Sequence, residues 1–226
     1  VSAVYAFTGK VTINGGHFSI QQLSSSNDYR FMLNCYDASY KADTAGFTVN
    51  GGTFEHYDPR NNAAEGANTS FVAEGVGVDA NSDGTFTAKS GMVAQIIDAK
   101  GNSKKACETL QAAIDAAVRN NTVKLLADTR ENVTIDKAMT LDLNGHTLNG
   151  GTVKGTPTLK IDTARVTVMD SSEAQTGTIM REDTAENSGV SSHYVIDIQG
   201  NAWVMFESGK VTNNSGNTEG KGASLV

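Results

Sequence analysis

Three aspartates in the second half of the chain have the residue type and spacing that catalysis could use. Asp142, Asp170 and Asp197 belong to successive short segments of alternating apolar residues, at positions predicted to point outward. Stacked on one face, they could supply the two carboxyl groups, about 5 to 9.5 Å apart, that a glycosidase needs. A polysaccharide lyase would instead use these acids to hold calcium, with Arg165 or a lysine as the base. These four residues define an enzyme hypothesis.

The composition offers a simpler explanation for the same aspartates. The 226-residue chain has 25 acidic and 18 basic residues and a formal net charge of -7, and outward acids keep such a protein in solution. The Asn-Thr-Asp, Asp-Asp and Gly-His-Gly strings typical of polygalacturonases are absent. We therefore predict no catalytic activity, with a polysaccharide lyase or glycoside hydrolase as the alternative. The negative charge also argues against nucleic acid as a partner.

Two places combine an aromatic residue with polar side chains, as sugar-binding sites do. One is Trp203, which falls on the outward phase of its segment. The other is a polar excursion at residues 57–84, whose candidate ligand-binding residues are Tyr57, Asp58, Arg60, Asn61 and Glu65. Each place also has a purely structural interpretation. Trp203 would pack equally well against a loop or a neighbouring module, and the excursion would equally well cover the flank of the fold.

No metal or cofactor site is predicted. Cys35 and Cys107 have no neighbours at zinc-ligand spacing and are interpreted as buried thiols. His17 and His146 each follow an Asn-Gly corner, which is more typical of a turn than of a metal site. Residues 79–84 resemble the start of a calcium-binding loop, but Ser90 stands at its twelfth position, where a Glu is required. Calcium is therefore expected only under the lyase alternative.

Short internal repeats indicate the fold. Residues 10–18 (KVTINGGHF) are echoed by residues 46–54 (GFTVNGGTF), and looser versions occur at 141–148, 149–153 and 206–211. Each consists of a short strand, a corner of Asn-Gly or Ser-Gly, and a second short strand. Strands this short would make poorly covered hairpins, whereas coiling lets each strand stack in parallel on its counterpart one turn later. We predict an all-β chain that forms a parallel β-helix, with an antiparallel sandwich as the alternative.

Alternation within these segments predicts which side chains form the core, because successive residues of a strand point to opposite faces. The predicted inward residues are Leu141, Leu143, Leu159, Ile161, Val166, Val168, Ile196, Ile198, Val204 and Phe206. The predicted outward residues are Asp142, Lys160, Thr167, Asp197 and Met205.

One segment has helical periodicity instead. Between Lys104 and Asn120 the apolar residues recur every three or four positions, which predicts one amphipathic α-helix. Ser103 or Thr109 would cap its start. A helix at this place is well suited to covering the end of a coil, which needs a cap.

The helix divides the chain into two predicted domains. Residues 1–100 would be the last turns of one β-helix module, with a long loop at 57–84. Residues 101–226 would be the capping helix followed by the first turns of a second module. The alternative is one continuous coil into which the helix is inserted.

Both ends of the sequence read as cut from a longer chain. The first residues lack a Met, a basic region and an apolar region, so they resemble neither a native start nor a signal peptide. Residues 223–226 stop without a capping element. Flanking modules of the same chain are therefore expected. No run of about 18 apolar residues occurs, so no insertion into a membrane is predicted.

Several strings carry a family resemblance. They are residues 108–117 (ETLQAAIDAA), 123–128 (VKLLAD), 132–137 (NVTIDK) and 140–148 (TLDLNGHTL), together with 48–54 (TVNGGTF), 61–66 (NNAAEG) and 71–75 (FVAEG). The first four resemble the opening, and the last three the closing part, of the pectate-lyase-like right-handed parallel β-helix modules in large surface proteins of gut bacteria. The resemblance implies a right-handed coil, secretion or display on a bacterial cell surface, and a role in adhesion or spacing.

The sequence thus predicts a non-catalytic surface module that acts as an adhesin platform or a rigid stalk. Its expected partner is a glycan or a surface protein of a host or a bacterium. A segment of a viral tail or fibre is a further alternative, and such a segment would form a trimer.

Overall fold

The computed structural model describes residues 2–21, 28–67, 69–182 and 194–214. In these residues the chain is mostly β, with several parallel sheets and few helices. It divides into two compact units, unit 1 at Val1–Gly91 and unit 2 at Met92–Val226. The uncapped end predicted at 223–226 lies outside the described residues.

Unit 1 is built on a parallel strand pair and a mixed sheet. Its strands are β1 (Val4–Ala6), β2 (Gly9–Phe18), β3 (Leu33–Cys35), β4 (Ala45–Glu55), β5 (Val76–Ala80) and β6 (Thr85–Ser90). A 3-10 turn at Asp28–Phe31 precedes β3, and the short helix α1 (Asp37–Lys41) follows it. Strand β1 pairs with β3 and β2 with β4, both in parallel, whereas β6 runs antiparallel to β4 and β5.

The repeated Asn-Gly corners of unit 1 stack on each other. The Asn50 side-chain amide donates to Asn14 Oδ1 over 2.8 Å. Gly51 fits here because a Cβ at this position would lie 2.7 Å from the Asn14 carbonyl oxygen. Beyond the corners, the rings of Phe18 and Phe54 stack with their centroids 4.9 Å apart. The sequence echo between residues 10–18 and 46–54 therefore corresponds to a physical pairing of β2 with β4.

Unit 2 contains twelve strands and one helix among its described residues. The first six strands are β7 (Ala94–Ile97), β8 (Ser103–Cys107), β9 (Thr122–Leu125), β10 (Val133–Ile135), β11 (Met139–Asp142) and β12 (Thr147–Gly150). The other six are β13 (Leu159–Asp162), β14 (Arg165–Met169), β15 (Thr178–Arg181), β16 (Ile196–Gln199), β17 (Trp203–Phe206) and β18 (Lys210–Asn213). Helix α2 (Leu110–Ala116) lies between β8 and β9.

The described strands of unit 2 form three sheets. One sheet has the order β17-β14-β11-β9-β7-β8, a second the order β12-β15-β18, and a third the order β10-β13-β16. All pairs among strands β9 to β18 are parallel. Strand β7, by contrast, runs antiparallel to β8 and β9. From β13 to β18 each strand therefore lies on the strand three places earlier, so that equivalent side chains form rows.

Those rows make the core of unit 2. Leu141 pairs in register with Val168, Leu148 with Ile179, and Leu159 with Ile196. All six are buried to within 3% of complete burial. The prediction of inward Leu141, Leu143, Leu159, Ile161, Val166, Val168 and Ile196 is confirmed by their burial.

Two residues predicted to be inward are exposed. Ile198 is 41% and Phe206 48% exposed, although each is in register with a buried residue of the preceding strand, Ile161 and Val168. Their strands β16 and β17 stand at the end of their sheets in the described part of the chain. Both side chains thus occupy core positions of the alternating pattern, but no described strand covers them.

The predicted helix is shorter than its sequence pattern. Residues 103–107 form β8, which runs antiparallel to β7 with Ala94 opposite Cys107. The helix begins only after Thr109, whose side chain accepts a hydrogen bond from the Ala112 backbone N–H. Pairing along β7 overrides the helical periodicity of the first residues.

The excursion at 57–84 is also not all loop. Residues 76–80 form β5, and Ala88 on β6 stands opposite Val78. Val78 is fully buried, so this part of the excursion belongs to the core of unit 1. Among the described residues no helix has the length and apolar character required to cross a membrane.

Candidate functional site

Unit 1 presents a cluster of exposed aromatic side chains, which we call the aromatic surface and define as Tyr5, Phe7 and Tyr36. Tyr5 and Phe7 stand on either side of Ala6, which is 3% exposed and points into the core. Because side chains alternate along a strand, the burial of Ala6 sends its two neighbours to the outer face. Tyr36 directly follows the buried Cys35 of β3 and reaches the same face.

Two rings of the aromatic surface stack on each other, and all three are solvent-accessible. Phe7 and Tyr36 stack with centroids 4.8 Å apart and an angle of 20° between their planes. Tyr5 is 52%, Phe7 60% and Tyr36 43% exposed. Asn34 on β3 is in register with Tyr5, and its side-chain amide donates to Ser2 Oγ over 3.4 Å. The surface therefore combines flat apolar rings with a polar amide.

This arrangement suits the binding of a ligand. An aromatic ring offers a rigid apolar face, and amides and hydroxyls beside it fix the orientation of a ligand by hydrogen bonds. The aromatic surface therefore provides both kinds of contact.

The residues predicted on the 57–84 excursion are used mainly inside the fold. Tyr57 is 3% exposed and packs against Phe54 with ring centroids 5.9 Å apart. Burial, and then the carboxylates of Asp58 and Glu65, raise the pKa of the Tyr57 hydroxyl far above its usual value. Asp58 and Arg60 form a two-fold contact, with Nε to Oδ1 at 2.8 Å and Nη2 to Oδ2 at 2.7 Å.

Glu65 and Asn61 differ in exposure. Glu65 Oε1 accepts a hydrogen bond from the Cys35 backbone N–H over 2.7 Å, which ties the excursion to β3. Burial, and then the Glu65 carboxylate, raise the pKa of the Cys35 thiol to about 11. Asn61 is exposed. Of the five predicted residues, only Asn61 is thus exposed, Tyr57 is buried, and Asp58, Arg60 and Glu65 are partly buried.

Trp203 lies outward, as its phase predicts. It is 53% exposed on β17, next to Met205, which is 37% exposed. It stands in register with Arg165 of β14, which is also exposed. Trp203 therefore remains a possible ligand contact, on a different unit from the aromatic surface.

The prediction that Asp142 and Asp170 point outward is wrong. Each is 4% exposed. Asp170 Oδ1 accepts hydrogen bonds from the backbone N–H groups of Gly145 at 2.8 Å and Ser172 at 3.0 Å, and its Oδ2 accepts one from Gly177 at 2.6 Å. Burial raises the pKa of Asp170, but the hydrogen bonds from Ser172, Gly177 and Gly145 outweigh it and hold the pKa below its usual value.

Asp142 has a similar position beside Asp170. Its Oδ1 accepts hydrogen bonds from the backbone N–H groups of Asn144 at 3.0 Å and Ser171 at 2.9 Å. Its Oδ2 lies 3.7 Å from Lys124 Nζ. The neighbouring Asn144 side-chain amide donates to the Leu125 carbonyl oxygen over 2.9 Å. The two carboxylates thus hold the loop after β11 against the loop after β14.

The other two residues of the enzyme hypothesis lie elsewhere. Asp197 is on β16, in the sheet of β10 and β13, and its Oδ2 accepts a hydrogen bond from the Gln199 side chain over 2.6 Å. Arg165 opens β14 and is exposed. Asp142 ends β11, in the same sheet as β14. The structure brings Asp142 and Asp170 together and places Asp197 in a different sheet.

Within the described ranges no group of three or more His, Cys, Asp or Glu side chains could hold a metal ion. In the segment that resembles a calcium loop, Asp79 forms an ion pair with Lys89 over 2.5 Å. Asp83 accepts hydrogen bonds from the Thr85 backbone and hydroxyl, which lower its pKa. His17 Nε2 lies 2.7 Å from Glu55 Oε1 across β2 and β4.

Sequence reasoning missed the aromatic surface. The alternation of residues 4–7 could have indicated it. The aromatic Tyr5 and Phe7 occupy one set of alternating positions, and the smaller apolar Val4 and Ala6 occupy the other. The pairing of β1 with β3, which brings Tyr36 to Phe7, is not readable from that segment alone. Comparison with protein-family models, with curated proteins and with solved structures gave no match for the chain.

Proposed function

We propose that the chain is a non-catalytic β-helix module of a secreted or bacterial cell-surface protein, and that it binds carbohydrate through the aromatic surface. The observation that carries the binding proposal is the stacked, exposed pair of Phe7 and Tyr36 beside Tyr5. Clustered aromatic exposure of this kind is unusual for a surface without a binding role.

The parallel pairing in unit 2 supports the β-helix. From β11 to β18 the strands belong in turn to three sheets, and from β13 onward each lies parallel to the strand three places earlier. A chain that returns to the same sheet every third strand follows a coil. Parallel crossover connections are right-handed in nearly all proteins, which favours a right-handed coil here. In this interpretation α2 caps the coil.

The contacts of the aspartates favour binding over catalysis. Asp142 and Asp170 direct their oxygens at backbone amides, so these carboxylates are engaged in holding turns. A general acid needs a pKa raised toward the working pH, whereas that of Asp170 is lowered. The enzyme alternative would have to be built on other residues.

The ligand class follows from charge. The aromatic surface contains no Asp, Glu, Lys or Arg side chain, and the chain has a net charge of -7. An anionic polysaccharide would be repelled at long range. We therefore propose neutral glycans, whose pyranose rings have apolar faces that stack on aromatic side chains.

The proposal is tested by affinity electrophoresis and calorimetry with a panel of neutral plant, mucin and bacterial glycans. Phe7→Ala and Tyr36→Ala should each weaken binding at least about fivefold, since a stacked aromatic contact contributes about 1 kcal/mol beyond its buried area. Trp203→Ala is the matched control, because it removes an equally exposed aromatic residue from unit 2. Unchanged binding by Phe7→Ala and Tyr36→Ala, with loss by Trp203→Ala, would reject the aromatic surface.

The same samples test the enzyme alternative. Release of reducing or unsaturated sugar ends is recorded with and without added calcium. Product release that survives repeated purification would overturn the non-catalytic proposal. Binding without release is the expected result.

A further inference from the structure

Asn34 places a polar side chain at a fixed position beside the aromatic surface. It stands opposite Tyr5 on the paired strands β3 and β1. Two residues further along, the Tyr36 backbone N–H donates to the Ala6 carbonyl oxygen over 2.9 Å, which continues the parallel pairing beyond the strands. Tyr36 therefore lies beside Phe7, and the two rings stack.

Tyr5, Asn34, Phe7 and Tyr36 form two rows on one face, which we call the four-residue array. Tyr5 and Asn34 make one row, and Phe7 and Tyr36 make the other. The Cα atoms within a row are about 4.8 Å apart, the spacing of paired strands, and the rows are about 6.6 Å apart, two residues along a strand. Asn34 and Tyr5 therefore lie where a substituent reaches from a sugar ring that stacks on the other row.

The Asn34 amide has hydrogen-bonding capacity to offer a ligand. An asparagine side chain carries two N–H donors and a carbonyl oxygen. The bond from this amide to Ser2 Oγ is 3.4 Å long, beyond the usual range of about 2.7 to 3.2 Å for an N–H···O bond. In the part of the chain that the structure describes, no donor lies within hydrogen-bond distance of Asn34 Oδ1. Asn34 can therefore accept a hydrogen bond from a ligand.

The chemistry of the four-residue array favours an uncharged substituent with an apolar end. The array contains no Asp, Glu, Lys or Arg side chain, so a charged substituent would lose water without gaining an opposite charge. Next to the acceptor of Asn34 stands the Tyr5 ring, which is 52% exposed. A substituent that both donates a hydrogen bond and covers an apolar surface would use the whole row.

An acetamido group has these two properties on one edge. Its amide is planar and trans, so that the N–H and the methyl group point to the same side and the carbonyl oxygen points to the other. The N–H can therefore donate to Asn34 Oδ1 while the methyl group packs on the Tyr5 ring. A hydroxyl group on the same sugar carbon could supply the hydrogen bond but not the methyl contact.

We propose that the aromatic surface selects glycans that contain an N-acetylated amino sugar, and that Asn34 and Tyr5 recognise its acetamido group. This inference rests on the proposed binding of carbohydrate by the aromatic surface. The pyranose ring stacks on Phe7 and Tyr36, and the row of Asn34 and Tyr5 determines which substituent is preferred.

NMR titration of the full chain with matched methyl glycosides tests the inference. The pairs are N-acetylglucosamine with glucose and N-acetylgalactosamine with galactose, so that only the group on one ring carbon differs. At least one acetamido sugar should bind at least about fourfold more tightly than its partner, the factor that burial of one methyl group contributes. Equal affinity within both pairs would overturn the inference.

Variants of the second row assign the preference to its two side chains. Tyr5→Ala should reduce the preference to less than about twofold, because the methyl group loses its contact. Asn34→Ala should weaken binding of the acetamido sugar about threefold or more, whereas Asn34→Asp keeps an acceptor and should weaken it less. Asn201→Ala is the control, at an exposed asparagine of unit 2. A preference that survives Tyr5→Ala unchanged would contradict the inference.

The wild-type chain gives an independent result, should a variant fail to fold. In a saturation-transfer experiment, the acetamido methyl protons should receive the strongest saturation of the bound sugar. They should also show nuclear Overhauser contacts with the Tyr5 ring. A methyl group that receives less saturation than the ring protons of the sugar would overturn the inference.

The titrations also separate this inference from carbohydrate binding itself. If all four sugars bind equally and Phe7→Ala weakens them all, carbohydrate binding stands and selection of the acetamido group is wrong. If none of the four sugars binds, both proposals are wrong.

Chitin, bacterial peptidoglycan and mucin all carry acetamido sugars, and sedimentation with each material distinguishes these sources. Cellulose is the matched control for chitin, because it has the same linkage with hydroxyl groups in place of the acetamido groups. The wild-type chain should be retained by at least one of the three materials and should lose that retention in Tyr5→Ala. Equal retention on cellulose and chitin, or retention on none of the three, contradicts the inference.

Discussion

The carboxylate of Asp170 accepts hydrogen bonds from three backbone amides in two turns, those of Gly145, Ser172 and Gly177. Only an ionised carboxylate offers this many acceptor sites from one short side chain. The turn also requires glycine, since a Cβ at Gly177 would lie 2.6 Å from the Leu143 Cβ. At the residue scale, Asp170 therefore stabilises the fold by holding backbone amides in place.

Replacing Asp170 by Asn should destabilise unit 2 by about 2 to 3 kcal/mol at pH 7, because charge-assisted hydrogen bonds are lost and an N–H group faces other N–H groups. Urea unfolding measures this change. Asp197→Asn is the control, and it should have little effect because Asp197 is partly exposed.

The same residue makes stability depend on pH. The folded pKa of Asp170 lies below its ordinary value of 3.8, so its contribution is complete above that value and is lost as pH falls through the folded pKa. The decrease in stability of the wild-type chain below about pH 4 should be smaller in Asp170→Asn. Parallel pH profiles of the two proteins would contradict this role.

Tyr57 gives a prediction of the opposite sign. Its hydroxyl is buried without a hydrogen-bond partner in the described part of the chain. Since an unsatisfied buried polar group is destabilising, Tyr57→Phe should stabilise unit 1 by up to about 1 kcal/mol. Thermal melting measures the change, and a lower melting temperature would show that the hydroxyl has a partner. Tyr40→Phe, at a partly buried tyrosine that contacts Phe71 at the ring edge, is the control.

At the scale of elements, α2 is defined by its first turn. The Thr109 hydroxyl accepts a hydrogen bond from the Ala112 N–H at 3.1 Å. The Glu131 carboxylate accepts from the N–H groups of Leu110 at 2.8 Å and Gln111 at 3.1 Å. These two side chains satisfy three of the amides that a helix leaves free at its start.

Removing the cap should therefore weaken unit 2. Thr109→Ala is expected to lower its stability by about 1 kcal/mol, whereas Thr109→Ser keeps the hydroxyl and should be nearly neutral. Chemical unfolding followed by circular dichroism distinguishes the two variants. Equal stability of Thr109→Ala and the wild type would mean that the cap contributes nothing.

The helix also shows what sequence reasoning can and cannot supply. The run of alanines around Ile114 predicts a helix correctly, and Thr109 is one of the two caps proposed. Ser103 is not a cap, because residues 103–107 are drawn into β8 by pairing with β7. Local periodicity contains no information on that partner, so the boundary could not be predicted from the segment alone.

At the scale of the whole molecule, the rows of apolar side chains determine what each substitution does. The alternating pattern predicts the same burial for Leu143 and Ile198, yet Leu143 is fully buried and Ile198 is 41% exposed. The difference depends on what covers a strand, which is a property of the assembled sheet. For the same reason the sequence could not show that Asp142 and Asp170 are enclosed by neighbouring turns.

This contrast can be measured directly. Leu143→Asp should prevent unit 2 from folding, since it buries an unpaired charge. Ile198→Asp should leave the isolated chain folded, with a loss of no more than about 1 kcal/mol, because the new carboxylate reaches solvent. Circular dichroism and melting of the two variants test this pair. A folded Leu143→Asp protein would refute the assignment of the core.

The hydrogen bonds around Asn144 also affect the rate at which this residue deamidates. An Asn-Gly step deamidates when the glycine nitrogen attacks the side-chain carbonyl carbon of the asparagine and displaces ammonia. Water then opens the resulting cyclic imide to a mixture of aspartate and isoaspartate. In this turn the Gly145 nitrogen donates to Asp170, and the Asn144 amide donates to the Leu125 carbonyl. Attacking atom and target are thus each held by another partner. The folded chain should therefore deamidate slowly at Asn144 for as long as these two hydrogen bonds are formed.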